Sequence, residues 1–425
     1  MTTAQIAENV RETVSPRGAI VLSEELPHVP SVALGIWLRT GSRHEEEGEA
    51  GLTHFLEHMC FKGTARRDAK RIVEEIEAVG GQLDAATSRE HTSFYARVLE
   101  EDLPLACDVL CDILLHSLHR EEDVARERDV VLDEIRMYED DPGDVAQERL
   151  MRALYGDHPL GRPVLGRPAV IRSLDRKAVT GYRARRYAAD RLVVAAAGRV
   201  VHEDLVARLA PLLSGLPPAA EPRPVAPPPP RTRSEAAGRE QEQTHVALGA
   251  HALRADHPDR FTLWVLNNVL GGGASSRLFQ EVRERRGLAY SIASGVEMFD
   301  DGGLVIIHTS CDPAKADQAA GVIGEILQDL AGGGVTDQEA LRARDQLKGN
   351  LLLGMEGTVS RMMRLAGARM TLGRVPPLDE VQRKVEAVTP DAVRALARSL
   401  LPPGRFAAMT LGPGEPKSVS WAAQE

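Results

Sequence analysis

The sequence predicts a duplicated fold in which helices and strands share each of two homologous domains. Three observations carry this. A chain of 425 residues is too long for one ordinary core. Proline concentrates between 216 and 235, in Leu216-Pro217-Pro218 and again in Pro227-Pro228-Pro229-Pro230. Such density cannot continue a helix or a central strand, so it reads as a stiff connector between residues 1–215 and 236–425. The two sides also repeat. Val32-Ala33-Leu34-Gly35 recurs as Val246-Ala247-Leu248-Gly249, an offset of 246 − 32 = 214. Residues 171–198 match 385–412 without a gap at the same offset, with Arg191-Leu192 against Arg405-Phe406 and Gly198 against Gly412. Agreement at both ends of the halves indicates duplication, so both domains are expected to share one α/β fold.

Within the first half, Ala19 to Leu22 and Val32 to Leu38 read as strands. A polar loop from Gly41 to Gly48 leads into a helix that starts near Leu52. A second helix runs from about Asp68 to Val79 and is stopped by Gly80-Gly81. Leu83 to Val98, rich in Thr, Phe and Tyr, reads as one or two strands. Helices follow around 103–118 and 121–138.

The helix near Leu52 carries the chemistry. At about 100° per residue, His54 points to 0°, Glu57 to about 300° and His58 to about 40°. Leu52, Phe55, Leu56 and Met59 fall on the opposite side, an apolar face for a core. Two imidazoles at i and i+4 can share one ion, and a carboxylate between them can act on a water at that ion. His-x-x-Glu-His is the inverted zincin order. Chance alone places two of 13 histidines at this spacing fairly often; an intervening glutamate is rarer.

A tetrahedral site with a catalytic opening needs a third protein ligand. Glu127 and Glu134 lie seven apart and project almost in line along one helix face. One can bind the ion while the other hydrogen-bonds a ligand. Spacing alone favours a solvated acidic helix, since Glu121, Glu122, Glu139, Asp140 and Asp141 lie nearby. Val130, Val131, Ile135 and Tyr138 read as that helix's core stripe.

His54-Phe55-Leu56-Glu57-His58 followed by Glu134 resembles the M16 metallopeptidase family, that of pitrilysin, insulin-degrading enzyme and mitochondrial processing peptidase. The family motif is His-x-x-Glu-His with a Glu some seventy-six residues on, and 134 − 58 = 76. The resemblance continues through Phe61-Lys62-Gly63-Thr64, Thr87-Ser88-Arg89-Glu90-His91-Thr92 and Gly156-Asp157-His158-Pro159-Leu160-Gly161, and covers nearly the whole chain. It implies an α+β class, each domain a mostly antiparallel sheet packed with helices. It implies that His54, His58 and Glu134 bind one Zn2+ per chain, that Glu57 is the general base, and that Glu127 supports the site. The edge strand that receives a peptide would hold Asp84, Ala85, Ala86 and Thr87, with Asp84 where many relatives carry Asn.

At the 214 offset, His54, Glu57 and His58 fall on Asn268, Gly271 and Gly272, and Glu134 falls on Lys348, or on Asn350 at the locally better offset of 216. The second half is therefore expected to keep the frame without this metal site. It offers Leu270-Gly271-Gly272-Gly273-Ala274-Ser275-Ser276, which lacks the Lys-Ser/Thr of a phosphate-binding loop. By resemblance, Arg283 and Tyr290 contact the substrate backbone near the scissile bond. A guanidinium and a phenol can both donate to peptide carbonyls and to a developing oxyanion.

The resemblance thus implies a zinc metalloendopeptidase acting on peptides. A homodimer enclosing a chamber for short or unfolded peptides is the expectation, with a heterodimer containing an inactive paralogue as the alternative. Two other readings stay open: a dedicated processing peptidase for leader or targeting peptides, and a non-catalytic structural subunit. The ligand types suit zinc and also cobalt or manganese.

Composition narrows the partners. A formal charge of −10 argues against nucleic acid. No apolar run reaches a membrane span, and the start Met1-Thr2-Thr3-Ala4-Gln5 lacks a signal region, so a cytoplasmic location is expected. Cys60, Cys107, Cys111 and Cys311 are too few and too irregularly spaced for a disulfide framework; Cys107 and Cys111 sit in an apolar-periodic helix and read as core thiols.

Overall fold

The computed structural model describes residues 1–217, 219, 225–228 and 231–422. Of the expected connector, positions 218, 220–224, 229 and 230 lie outside the described residues. Two compact units result. The first comprises Met1–Ile135, Pro163–Val225 and Leu353–Pro377, and the second Arg136–Arg162, Ala226–Leu352 and Leu378–Glu425. A division at a single connector therefore needs correcting at two places. Residues 136–162 pack with the second unit, and 353–377 pack with the first.

The first unit is built on a seven-stranded sheet. Its strands are β1 (Thr2–Ala7), β2 (Val10–Val14), β3 (Ile20–Glu25), β4 (Ser31–Leu38), β5 (Gln82–Thr87), β6 (Thr92–Leu99) and β7 (Leu192–Gly198). The order is β1-β2-β3-β7-β4-β6-β5, and only β3 with β7 runs parallel. The polar β1–β2 hairpin was not legible as strand. The second unit holds β8 (Glu235–Gly238), β9 (Thr244–Ala252), β10 (Ala289–Met298), β11 (Gly303–Cys311) and β12 (Ala407–Gly412), in the order β10-β11-β9-β12-β8. Here only β12 with β8 is parallel. Read from the parallel pair, β3-β7-β4-β6-β5 and β8-β12-β9-β11-β10 are the same topology, which is the duplication seen in sequence. Both sheets are mostly antiparallel and helix-packed, an α+β architecture as expected.

Strand β4 shows why its sequence is continuously apolar. Val32, Leu34, Ile36 and Leu38 enter one buried cluster, while Ala33 and Trp37 enter another on the opposite face. A strand covered on both sides has no polar alternation. Helix Thr358–Leu372 supplies the second cover through Met362, Leu365 and Ala366. Gly35 is required there, because a Cβ would lie 2.4 Å from the Trp37 ring.

The first cover holds α1 (Leu52–Cys60), α2 (Ala69–Glu77), α3 (Leu103–His116) and most of α4 (Glu121–Asp140). Asp68 caps α2 by accepting from the Arg71 N–H. Cys60, Cys107 and Cys111 are buried free thiols, as expected of core residues. The stripe expected on α4 is half right. Val131 and Ile135 are buried, whereas Val130 and Tyr138 are 49% and 47% exposed. Helix α5 (Pro142–Tyr155) belongs to the second unit, where Leu150, Met151, Leu154 and Tyr155 pack on Ile306 and Met409. Among the described residues, no helix is long and apolar enough to cross a membrane.

Candidate metal centre

Helix α1 is fixed at its N-terminal end and along one side. Leu52, Phe55, Leu56 and Met59 are at most 2% exposed. At its N-terminus, the Glu45 carboxylate accepts from the Gly51 N–H at 2.9 Å and the Thr53 N–H at 2.7 Å, serving donors that no helical carbonyl can reach. Gly51 has φ +96, and a Cβ there would meet the Leu165 carbonyl oxygen at 2.6 Å. The Thr53 hydroxyl bonds the Tyr182 hydroxyl at 2.5 Å. These contacts leave His54, Glu57 and His58 on the free face.

Helix α4 delivers the third group. Glu134 Oε2 stands 3.6 Å from His54 Nε2 and 3.8 Å from His58 Nε2. Among the described residues, these three form the one group of three or more His, Cys, Asp or Glu side chains whose ligand atoms lie within 4.8 Å of one another. The separations exceed hydrogen bonds. They are close to the edge of a tetrahedron with metal–ligand bonds near 2.0–2.1 Å, about 3.3 Å. Glu134 Oε2 is buried and has no hydrogen-bond partner, a costly state that a bound cation would relieve. The donor set of two imidazoles and one carboxylate suits zinc. The residues therefore fit the ion.

Electrostatics prepare the ligands. Burial and the neighbouring His58 hold His54 down to about 3, so its ring is neutral and able to ligate near neutral pH. Burial alone would lower His58 too, but the hydrogen bond and charge of Glu127, with the charges of Glu57 and Glu134, together raise the value. His58 Nδ1 bonds Glu127 Oε1 at 2.7 Å, which turns Nε2 toward Glu134. Glu127 is 2% exposed. Burial works against its charge, but His58 and Lys62 hold it below the usual carboxylate value. Lys62 Nζ lies 2.7 Å from Glu127 Oε2. Burial raises Glu57, helped by Glu134 and Asp84 and opposed by Thr87 and His58. A carboxylate tuned upward is a better proton acceptor near neutral pH.

Strand β5 carries Asp84, Ala85, Ala86 and Thr87 at a sheet edge; its ladder runs to β6 alone. Asp84 Oδ2 accepts from the Tyr95 hydroxyl at 2.8 Å. Thr87 Oγ1 donates to Glu57 Oε2 at 2.6 Å, so this residue orients the expected base. In the second unit, the Arg283 guanidinium lies 4.6 Å over the Tyr290 ring and 4.8 Å over Phe279. Tyr290 is 80% exposed. Sequence reasoning assigned no role to Glu45 or Lys62. Lys62 sits at i+4 from His58, a spacing that could have flagged it; Glu45 carried no local signal, because the groups it serves at Gly51 and Thr53 lie six and eight residues further on.

Comparison with known proteins identifies the family. Residues 20–167 match the family model for Insulinase (Peptidase family M16), and residues 173–347 match the Peptidase M16 inactive domain. A protein of Streptomyces coelicolor named an uncharacterized zinc protease is 43% identical over 422 residues, 97% of this chain and 91% of that protein. One of Mycobacterium tuberculosis, named likewise, is 42% identical over 408 residues, 95% of this chain and 93% of its own length. A Bacillus subtilis protein of the same description is 37% identical over 391 residues, 92% and 95% of the two chains. A crystal structure described as a peptidase M16 inactive domain from Pseudomonas fluorescens superposes with TM-score 0.89 at 22% identity, covering 98% of this chain and all of that one. A two-unit M16 fold, a His-His-Glu cluster and relatives of this identity together establish that the chain belongs to peptidase family M16.

Proposed function

We propose that this chain is a zinc-dependent endopeptidase acting on short or unfolded peptides, one Zn2+ per chain held by His54, His58 and Glu134. The observation that carries the reading is the convergence of three ligand atoms within 4.8 Å on the helix face that also bears Glu57. Bound zinc supplies Lewis acidity, acidifying water and polarising an amide carbonyl. Glu57 accepts the proton of the attacking water and passes it to the leaving amine. Thr87 holds the Glu57 carboxylate in position for both transfers. Glu127, neutralised on one side by Lys62, keeps the His58 ring oriented. The substrate lies as an added strand on β5, bound through main-chain hydrogen bonds with little sequence demand. Arg283 and Tyr290 donate to substrate carbonyl oxygens in this reading. The active form is a homodimer whose closed chamber excludes folded proteins.

Cleavage of a peptide library with and without a chelator tests the reading, beside Glu57→Gln. The expected result is chelator-sensitive cleavage of unstructured peptides and a Glu57→Gln variant that keeps zinc but loses at least about 10²-fold in kcat. Full activity in that variant would remove Glu57 as the base. A metal-loaded chain that cleaves nothing would favour a structural subunit, and an active monomer in light scattering would remove the dimer chamber.

A further inference from the structure

The second unit carries a histidine pair that the peptidase chemistry does not use. His245 on β9 has Ser310 of β11 as its Cα partner, which places His308, two residues earlier on β11, diagonally across on the same sheet face. The two ring centroids are 5.5 Å apart, with the planes inclined by 43°. His245 Nδ1 and His308 Nε2 are both buried, and neither has a hydrogen-bond partner. Two neighbouring imidazoles with orphaned ring nitrogens bear a desolvation cost that a shared ligand would remove.

The surroundings favour a cation. The start of α5 lies against His245: a Cβ at Gly143 would stand 3.6 Å from His245 Nδ1. Asp141 caps that helix by accepting from the Gly143 and Asp144 N–H groups at 2.7 and 3.0 Å, and so offsets its positive end. Burial lowers both histidines and so keeps their rings neutral, as metal ligands must be, while the negative charge of Asp141 acts on both in the opposite sense. Two imidazoles sharing one ion at about 2.0–2.1 Å in tetrahedral geometry have centroids roughly 5 Å apart. The observed separation is near that value, as is the 4.5 Å between His54 and His58.

We propose that His245 and His308 form a second transition-metal site, binding one divalent ion that favours imidazole, such as Zn2+, Ni2+, Co2+ or Cu2+. The site is distinct from the sequence positions that correspond to the first metal motif, Asn268, Gly271 and Gly272. Its bound ion ties β9 to β11 beneath the start of α5.

Equilibrium dialysis of the full chain against Co2+, followed by elemental analysis, tests the site. The unaltered chain is expected to hold two ions, and His245→Ala/His308→Ala and His54→Ala/His58→Ala one each. A His245→Ala/His308→Ala chain that binds as many ions as the unaltered one overturns the proposal, as it would if the rings merely share a water. If that variant misfolds by circular dichroism, Cu2+ added to His54→Ala/His58→Ala decides: a paramagnetic signal with hyperfine coupling to imidazole nitrogen supports the site, and its absence overturns it. An unchanged ion count in His54→Ala/His58→Ala would instead count against the peptidase centre.

Discussion

His58 and Glu127 are joined by a 2.7 Å hydrogen bond, and that bond determines which face of the imidazole meets Glu134. The carboxylate takes Nδ1, which leaves Nε2 facing Glu134. Glu127 is itself held ionised by Lys62 at 2.7 Å. A chain of three residues thus runs from the half-exposed Lys62 through Glu127 to the His58 imidazole.

Replacing Glu127 by Gln keeps the shape and removes the charge. Zinc affinity is expected to fall about 10- to 100-fold. Competition titration against a chromophoric chelator measures this. An unchanged affinity would show that the ring is oriented by something else.

Thr87→Val removes the one hydroxyl seen to hold Glu57. The metal should stay, because Thr87 is bonded to Glu57 and is not one of the three proposed ligands. We expect kcat to drop by about tenfold with KM little changed, as for a misplaced proton acceptor. Thr87→Ser should restore most of the rate.

His119 sets an acid limit on stability. It is 4% exposed, both ring nitrogens lack partners, and burial beside Arg183 and Arg176 pushes it down to about 4. The folded state refuses a proton that the unfolded chain accepts below its ordinary value of 6.5. The unfolded form therefore binds more protons in this window, and stability falls as pH drops from about 6.5 toward 4, by up to about 3 kcal/mol from this residue. Its φ of 45 is one that Asn tolerates. Denaturant melts of His119→Asn should show a flatter pH dependence over that range than the unaltered chain.

Gly35→Ala tests the two-sided burial of β4. The new methyl would overlap the Trp37 ring, and Met362 Sδ at 3.1 Å blocks easy relief. A loss of about 1–3 kcal/mol is expected in chemical denaturation. A neutral result would mean that the Trp37 side can repack freely.

Much of the site is local and was therefore legible. His54, Glu57 and His58 occupy one helical turn, so their common face follows from periodicity alone. The apolar residues opposite them read as a core stripe for the same reason, and they are buried. On α4 the same reasoning succeeded for Val131 and Ile135 and failed for Val130 and Tyr138. Periodicity shows that a helix has faces, but not what covers each one. The duplication was visible in matched segments, and the shared strand order confirms it.

The sequence by itself determined the shared helix face of His54, Glu57 and His58 and the repeat, because each depends on residues near one another or on a comparison of the chain with itself; the mostly antiparallel sheets followed only from the family resemblance. Tertiary structure decided that Glu134 meets two imidazoles lying more than seventy positions earlier, that Thr87 serves Glu57, and that α5 packs on the second sheet while helix Thr358–Leu372 packs on the first. Those outcomes depend on which buried faces close on one another, a free energy of packing summed over distant segments that no short window of sequence contains.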